Sequence, residues 1–160
     1  MHSLSNIPAG SIDSPRMSLL EEAAGRPGTK LPALQLKREN LFLQFHISLN
    51  EEHCSLIVSD DSGWQLNLGE RVHHYTLLTL ARERLADMQH GIERYSQGWI
   101  EMDRLSRMLG LDVAHLNIQI FRARRQIAKE FPISMSLPDI VERRRGEVRL
   151  AAVQVHIMRV

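Results

Sequence analysis

Between residues 41 and 68, apolar and mostly polar side chains alternate with a period of two. The apolar positions are Leu41, Leu43, Phe45, Ile47 and Leu49, then Cys54, Leu56 and Val58, and then Trp64, Leu66 and Leu68. Turn residues separate the three runs at 50–52 and 60–63. A strand with one buried face has this period, and short connections join neighbouring strands antiparallel. The pattern predicts an antiparallel β-meander over residues 39–69.

Past Gly69 the apolar residues recur every three or four positions, which is the period of a helix with one buried face. The positions concerned are Leu78, Ala81, Leu85, Met88 and Ile92. They predict a long amphipathic helix from about Arg71 to His90.

A short helix, a tight turn and a longer helix are predicted next. Gly110 is typical of the end of a helix, and Asp112 can cap the start of a helix over residues 113–130. The apolar positions of these two helices are Leu105, Met108, Leu109, Leu116, Ile120, Ala123 and Ile127. This arrangement predicts a helix-turn-helix, so that three helices occupy residues 71–131.

The last segment, residues 138–160, has the pattern of a hairpin followed by a strand. Residues 140–142 and 147–150 flank the turn Arg143-Arg144-Arg145-Gly146, which gives the hairpin a cationic tip. The further strand is indicated by Val153, Val155 and Ile157. The predicted fold class is therefore α+β, with an N-terminal antiparallel β-meander, a three-helix core and a C-terminal β-hairpin in one domain, residues 39–160.

Residues 1–38 differ in composition, with four of the six prolines and no aromatic residue. They predict a flexible tail. Ser18-Leu19-Leu20-Glu21 has the spacing of a capping box, so a short helix over about 18–24 is expected within it. Two interpretations stay open, a segment that docks on a partner and a solvated leader.

Composition narrows the class of protein. A chain of 160 residues with 43% hydrophobic side chains can bury one core. It has no apolar run long enough to cross a bilayer, and its N-terminus lacks the order of a secretory signal, so a cytoplasmic protein without membrane contact is expected. The single cysteine, Cys54, excludes an internal disulfide framework and a cysteine zinc site.

The formal net charge of +1 conceals an uneven distribution of charge. Residues 40–70 contain five acids and no lysine or arginine, whereas residues 113–160 contain nine basic residues and four acids, a balance of +5. Such a layout attracts and orients a protein on a polyanion.

The histidines and the cysteine do not form a convincing catalytic site. The pair His73-His74 lies on a predicted helix, where adjacent side chains point about 100° apart and do not readily ligate one metal. Cys54 alternates with buried strand positions and is expected to be an inert buried thiol. We therefore expect no enzymatic activity, no cofactor and no metal site.

The order of elements resembles the OmpR/PhoB-type winged-helix effector domain of bacterial transcription regulators. The stretch 116–127, Leu-Asn-Ile-Gln-Ile-Phe-Arg-Ala-Arg-Arg-Gln-Ile, is similar to the recognition helix of that family, and 140–150 is similar to its wing. A closer resemblance is to the winged-helix region of bacterial proteins that carry a forkhead-associated domain, through residues 68–75, Gln97-Gly98-Trp99-Ile100 and Glu142-Arg143-Arg144. Because residues 1–38 are too few for either, we expect neither a receiver nor a forkhead-associated domain beside these motifs.

The resemblance implies a winged helix-turn-helix that binds double-stranded DNA, with helix 113–130 in the major groove and the 140–150 wing on the backbone or in the minor groove. Arginine matches guanine edges and phosphates, and asparagine can pair with adenine. The predicted DNA-binding residues are Asn117, Phe121, Arg122, Arg124, Arg125, Arg143, Arg144 and Arg145. The helix residues among them are expected to have no structural task. Phe121 and Ile118 are expected to contact thymine methyl groups or to pack inside, and packing is favoured for Ile118.

One recognition helix covers few base pairs, so a homodimer on neighbouring half-sites is expected, in a nucleoid-associated transcription regulator. RNA polymerase or another regulator is a further candidate partner. The alternative is a protein–protein adaptor that uses the same fold and docks through the acidic N-terminal sheet.

Overall fold

The computed structural model describes residues 34–35, 37–132, 135–136 and 138–160. The strands are β1 (Leu34–Gln35), β2 (Leu41–Ile47), β3 (Cys54–Asp60), β4 (Gln65–Glu70), β5 (Ile100–Glu101), β6 (Met135–Ser136), β7 (Val141–Arg144), β8 (Glu147–Leu150) and β9 (Gln154–Arg159). The helices are α1 (His74–Gln89), α2 (Met102–Leu109) and α3 (Val113–Glu130). The described residues belong to one compact unit, Ala33–Val160, and its class is α+β, as predicted.

The larger sheet has the strand order β4-β3-β2-β9. Strands β2, β3 and β4 pair antiparallel, so the predicted meander is confirmed. Its inward residues, from Leu41 to Ile47 on β2 and from Cys54 to Val58 on β3, are at most 1% exposed and belong to the hydrophobic core. Leu49, however, is 78% exposed. Its predicted burial was wrong because β2 ends at Ile47 and the chain turns away, with the Glu51 amide donating to the Ser48 carbonyl.

The last strand, β9, confirms the strand predicted from Val153, Val155 and Ile157, and it lies at the edge of this sheet. It pairs parallel to β2, which places Val155 opposite Leu43 and Ile157 opposite Phe45. The sheet is therefore mixed. Parallel pairing needs a long connection, and here residues 48–153 supply it.

Helix α1 lies against the core, and Leu78 and Ala81 are buried as predicted, but the buried face does not extend to the last positions of the predicted stripe. Leu77, Leu80, Ala81 and Arg84 are buried, whereas Met88 is 54% exposed. Ile92, which is 42% exposed, lies beyond the end of the helix at Gln89. The stripe ending in Met88 and Ile92 was therefore wrong for its last members. The first half of α1 is enclosed on most sides, so several faces are apolar and the periodicity alone did not single out the buried one.

Helix α2 ends where the sequence predicts, and α3 has its predicted bounds. Gly110 ends α2 with a left-handed backbone, φ 64°, and the Asp112 carboxylate accepts a hydrogen bond of 2.7 Å from the amide of His115 at the start of α3. The predicted stripe of α3 is confirmed, because Leu116, Ile120, Ala123 and Ile127 are all at most 2% exposed. On α2, Leu105 is buried as predicted, whereas Met108 is 49% exposed, which corrects its assignment to the buried face.

The smaller sheet has the order β5-β8-β7, and β7 and β8 form the predicted hairpin. Because β8 lies between β5 and β7, the hairpin is joined to the segment that leads into α2. A separate pair of two-residue strands, β1 and β6, is parallel. Strand β1 lies within the predicted tail of residues 1–38, and the short helix expected over 18–24 lies outside the described residues.

Two buried histidines at the start of α1 connect it to α3. The ring Nε2 atoms of His73 and His74 lie 2.6 and 3.0 Å from the side-chain oxygen of Gln126, whose amide nitrogen donates to the Leu68 carbonyl. Burial lowers the pKa of His74 to about 4, with a smaller effect in the same direction from His73. The adjacent histidines therefore serve the packing of two helices.

This depressed pKa predicts a loss of stability in mild acid. The unfolded chain protonates His74 near its ordinary pKa of about 6.5, and the folded chain only near 4. The stabilisation is thus complete above pH 6.5 and is lost as the pH falls towards 4. We expect the free energy of unfolding to fall by about 2 kcal/mol between pH 7.5 and 5 from this residue. Urea titrations of the wild type and His74→Gln check it, and an equal pH dependence in both would contradict it.

Candidate nucleic-acid interface

Helix α3 presents a cationic face to solvent. Arg122, Arg125 and Lys129 are spaced three and four residues apart, so they share one side of the helix, and all three are exposed. No ion pair or hydrogen bond within the described residues involves these three side chains. Because the opposite side carries the core stripe, the helix is anchored by one face and free to contact a partner with the other.

The hairpin is held against one flank of α3 by polar contacts of two arginines. Arg143 on β7 donates a 2.9 Å hydrogen bond to the Asn117 side-chain oxygen. Arg124 forms a 2.7 Å ion pair with Asp139 and also donates to the Val141 carbonyl. These contacts place the hairpin beside α3, although its residues follow the helix by at least ten positions.

Positive charge accumulates where the helix meets the hairpin. Partial burial lowers the pKa of Arg143, and the charge of Arg124 lowers it further, while Asp139 acts in the opposite direction. One carboxylate therefore faces two guanidinium groups at this junction. An anion that approaches the junction would relieve their mutual repulsion.

Two arginines of the hairpin lie over the ring of Trp99. The guanidinium carbons of Arg144 and Arg149 lie 4.2 and 4.5 Å from its ring centroid. Arg144 also pairs with Glu147. Arg149 is only 8% exposed and pairs with Glu142. The cation–π contacts thus hold the hairpin on the Trp99 segment, and the ion pairs join the two strands of the hairpin.

The turn of the hairpin carries one uncommitted cation. Arg145 is exposed, and no ion pair or hydrogen bond with the described residues involves it. The following Gly146 has φ 71°, a left-handed conformation that a tight turn needs and that glycine adopts readily. Its carbonyl accepts a hydrogen bond from the amide of Met102, so the turn is fixed to the start of α2.

The structure divides the eight predicted DNA-binding residues into two groups. Phe121, Arg122, Arg125 and Arg145 are exposed and have no polar partner in the described part of the chain. Asn117, Arg124, Arg143 and Arg144 are engaged in contacts inside the protein. The expectation that Asn117 and Arg124 have no structural task is therefore wrong, because both fasten the hairpin to α3.

Two apolar side chains lie on the exposed side of α3. Phe121 is 60% exposed and Ile118 is 47% exposed. The predicted packing of Ile118 inside the protein is wrong, because the core contacts of α3 come from Leu116 and Ile120 on either side of it. By helical spacing, both side chains lie on the same side of α3 as Arg122 and Arg125.

The acidic surface of the larger sheet is partly neutralised within the molecule. Glu51 pairs with Arg82 at 3.0 Å and with Arg159 at 3.2 Å, and the hydrogen bond from Arg82 lowers the pKa of Glu51. Glu70 lies 2.8 Å from the ring of His53, whose pKa it raises. The segment balance of −5 therefore overstates the charge that this sheet presents to a partner.

Other chemistry is sparse in the described ranges. Cys54 is fully buried, as predicted, and burial raises its pKa to about 11, so the thiol is un-ionised at neutral pH. Among the described residues no group of three or more histidine, cysteine, aspartate or glutamate side chains is arranged to hold a metal ion. None of the described helices is both long and apolar enough to span a membrane.

Sequence reasoning missed residues that shape this surface. Lys129 follows Arg125 by four positions and extends the exposed cationic face, a spacing that the sequence already contains. Trp99 supports the hairpin through two arginines that are distant in sequence, so no local signal marks its role.

Neither the sequence nor the fold matches a protein-family model, a curated protein or a solved structure.

Proposed function

We propose that this chain binds double-stranded DNA as a winged-helix protein and acts as a sequence-selective bacterial transcription regulator. The observation that carries the proposal is the exposed face of α3, where Arg122, Arg125 and Lys129 have no partner among the described residues. Beside it stands a hairpin whose turn carries a further unpartnered arginine, Arg145. A helix with a free cationic face fits a major groove, and a cationic hairpin beside it reaches the adjacent backbone or minor groove.

The apolar residues of the same face fit this proposal. Ile118 and Phe121 would contact thymine methyl groups in the major groove, while Arg122 and Arg125 would bind phosphates or guanine edges. Asn117 acts in this arrangement by orienting Arg143, since its side-chain oxygen accepts from that guanidinium. A helix surface that combines free arginines with exposed apolar side chains is complementary to the phosphates, guanine edges and thymine methyl groups of a major groove.

Salt dependence of duplex binding tests the proposal. We expect the wild type to bind a 25-base-pair duplex with an affinity that falls steeply with salt, because each phosphate contact contributes a slope of about −0.9. The variant Arg122→Ala/Arg125→Ala/Arg145→Ala should bind about 100-fold more weakly in low salt, with a slope smaller in magnitude by about 2.7. Fluorescence anisotropy at several salt concentrations measures both quantities.

A charge-matched control separates the surface from the net charge. Lys37→Ala/Arg82→Ala/Arg159→Ala removes three positive charges from the exposed side of the molecule near the larger sheet, where two of them pair with Glu51. Exposed ion pairs contribute little to stability, so this variant should fold and bind the duplex with nearly wild-type affinity and slope. Equal losses in the two triple variants, or a wild type that does not bind duplex, would count against the proposal.

Specific recognition requires more base pairs than one helix can read, so the proposal includes two copies on adjacent half-sites. The alternative function, an adaptor that docks through the acidic sheet, receives less support. Glu51 and Glu70, two of the five acids of that sheet, are already paired with Arg82, Arg159 and His53.

A further inference from the structure

A cavity of about 710 Å³ lies between the second half of α1, the segment that leads to Trp99, and strands β2 and β9. Its volume is within the range of small-molecule binding sites. It is separate from the exposed face of α3, because no residue of α2 or α3 lines it. Its position at an edge strand gives it an opening to solvent.

One wall of the cavity contains a buried arginine without a counter-ion. Arg84 is 6% exposed, and its Nη1 atom is buried with no hydrogen-bond partner. Among the described residues, Arg84 takes part in no ion pair. Burying a charged group without a counter-ion is costly, so the Arg84 guanidinium beside this cavity would favour an anionic partner.

The surroundings of Arg84 are positive. Burial lowers its pKa first, and the charges of Arg149 and Arg94 lower it further. Glu142 acts in the opposite direction, but its carboxylate accepts a 2.6 Å hydrogen bond from Arg149. Arg94 also lines the cavity and is exposed. Two arginines thus line the cavity with one acidic side chain, Glu39.

The remaining lining is mainly apolar, with amides and one histidine between the apolar groups. The side chains of Leu85 and Met88 on α1 and of Val155 on β9 line it, and Gln97 and His156 supply polar groups. An inorganic ion would satisfy Arg84 and leave these apolar walls unfilled. A neutral apolar molecule would fill the walls and leave the guanidinium unpaired. Only a molecule with both parts matches the whole lining.

We propose that this cavity binds a small amphipathic anion, with an oxyanion head on Arg84 and Arg94 and an apolar body against Leu85, Met88 and Val155. Such a ligand would bind away from the proposed DNA surface. The site stands on its own residues and does not depend on DNA binding.

Three probes of one shape test the site with the full-length protein. They are 4-butylbenzoate, 4-butylphenyl phosphate and the neutral 4-butylbenzyl alcohol, and inorganic phosphate serves as an anion without an apolar body. We expect at least one amphipathic anion to raise Tm by about 3 °C or more at saturation, and the alcohol and inorganic phosphate to raise it by less than about 1 °C. The two anions distinguish a carboxylate head from a phosphate head. Equal responses to the anions and the alcohol, or no response to any probe, would overturn the proposal.

Substitution of Arg84 assigns the response to this cavity. Arg84→Met keeps most of the side-chain volume and removes the unpaired charge, so we expect an unchanged or higher Tm without ligand and no response to the anions. Arg82→Met, the same substitution two residues away on α1, should respond like the wild type, because Arg82 pairs with Glu51 and does not line the cavity. A full anion response in Arg84→Met would overturn the proposal.

A second variant keeps the test decisive if Arg84→Met folds poorly. Arg94 lies on the exposed turn before Trp99, where its guanidinium donates only a 3.3 Å hydrogen bond to the Ala152 carbonyl. Arg94→Met is therefore expected to fold normally and to bind the preferred anion at least about fivefold more weakly by calorimetry. Unchanged affinity in Arg94→Met would contradict the proposed head-group site.

Discussion

Replacing Arg149 by methionine is expected to lower the free energy of unfolding by about 3–5 kcal/mol, the range observed when one partner of a buried ion pair is removed. Arg149 is 8% exposed and lies in the central strand of the smaller sheet. It donates to the Glu142 carboxylate and to the carbonyls of Tyr95 and Gln97. The substitution would leave the carbonyls of Tyr95 and Gln97 without this donor. Urea denaturation followed by circular dichroism measures the change.

Arg144→Met is the matched control. Arg144 also lies over the Trp99 ring and pairs with Glu147, yet its side chain is 52% exposed. A pair that water already screens contributes about 0–1 kcal/mol, so this variant should be nearly as stable as the wild type. Similar losses from Arg149→Met and Arg144→Met would show that burial is not what gives Arg149 its role.

Gly98→Ala is expected to reduce the free energy of unfolding by about 3 kcal/mol, from two causes that add. Gly98 has φ 80°, a left-handed backbone that other residues adopt only with strain. A methyl group there would lie 3.0 Å from the Cβ atom and 3.3 Å from the Cα atom of Arg84, so it would force apart the Gly98 segment and α1. The amide of Gly98 also donates to Asp87 at 2.8 Å, which keeps the two segments close.

Gly110→Ala separates these causes. Gly110 has φ 64°, but no atom lies within 4 Å of the position that its Cβ would occupy. Only the backbone cost applies, and we expect a loss of about 1 kcal/mol. If the two alanine variants are destabilised equally in urea, close contact with α1 is not the reason for a glycine at position 98.

These contacts explain the Gln97-Gly98-Trp99-Ile100 motif physically. The Gln97 side chain donates to the Ile92 carbonyl, and Gly98 permits close approach to α1. The ring of Trp99 makes cation–π contacts with two arginines of the hairpin, and Ile100 pairs with Val148 in the smaller sheet. These four consecutive residues thereby connect α1, the loop that follows α1, and the hairpin.

Much of the fold was predictable because its signals are local. The alternation of apolar and polar residues predicted β2 and β3, and the arginine turn predicted the hairpin. Gly110 predicted the end of α2, and Asp112 predicted the start of α3. Burial was predicted wrongly at Leu49 and Ile92, because both residues are apolar but lie beyond the end of their strand or helix. It was also predicted wrongly at Met88 and Met108, because apolar spacing does not reveal how far a neighbouring element extends.

The sequence by itself determined the α+β class, the helices and the concentration of positive charge after residue 113, since periodicity and composition need no tertiary contact. Only the tertiary structure decided which cations remain available. Arg124 meets Asp139 fifteen residues away, and Arg149 meets Tyr95 fifty-four residues away, whereas no such acceptor of the described chain reaches Arg122 or Arg145. A charge is free or satisfied according to the acceptors that folding brings within about 3 Å, and that distance is set by the whole chain.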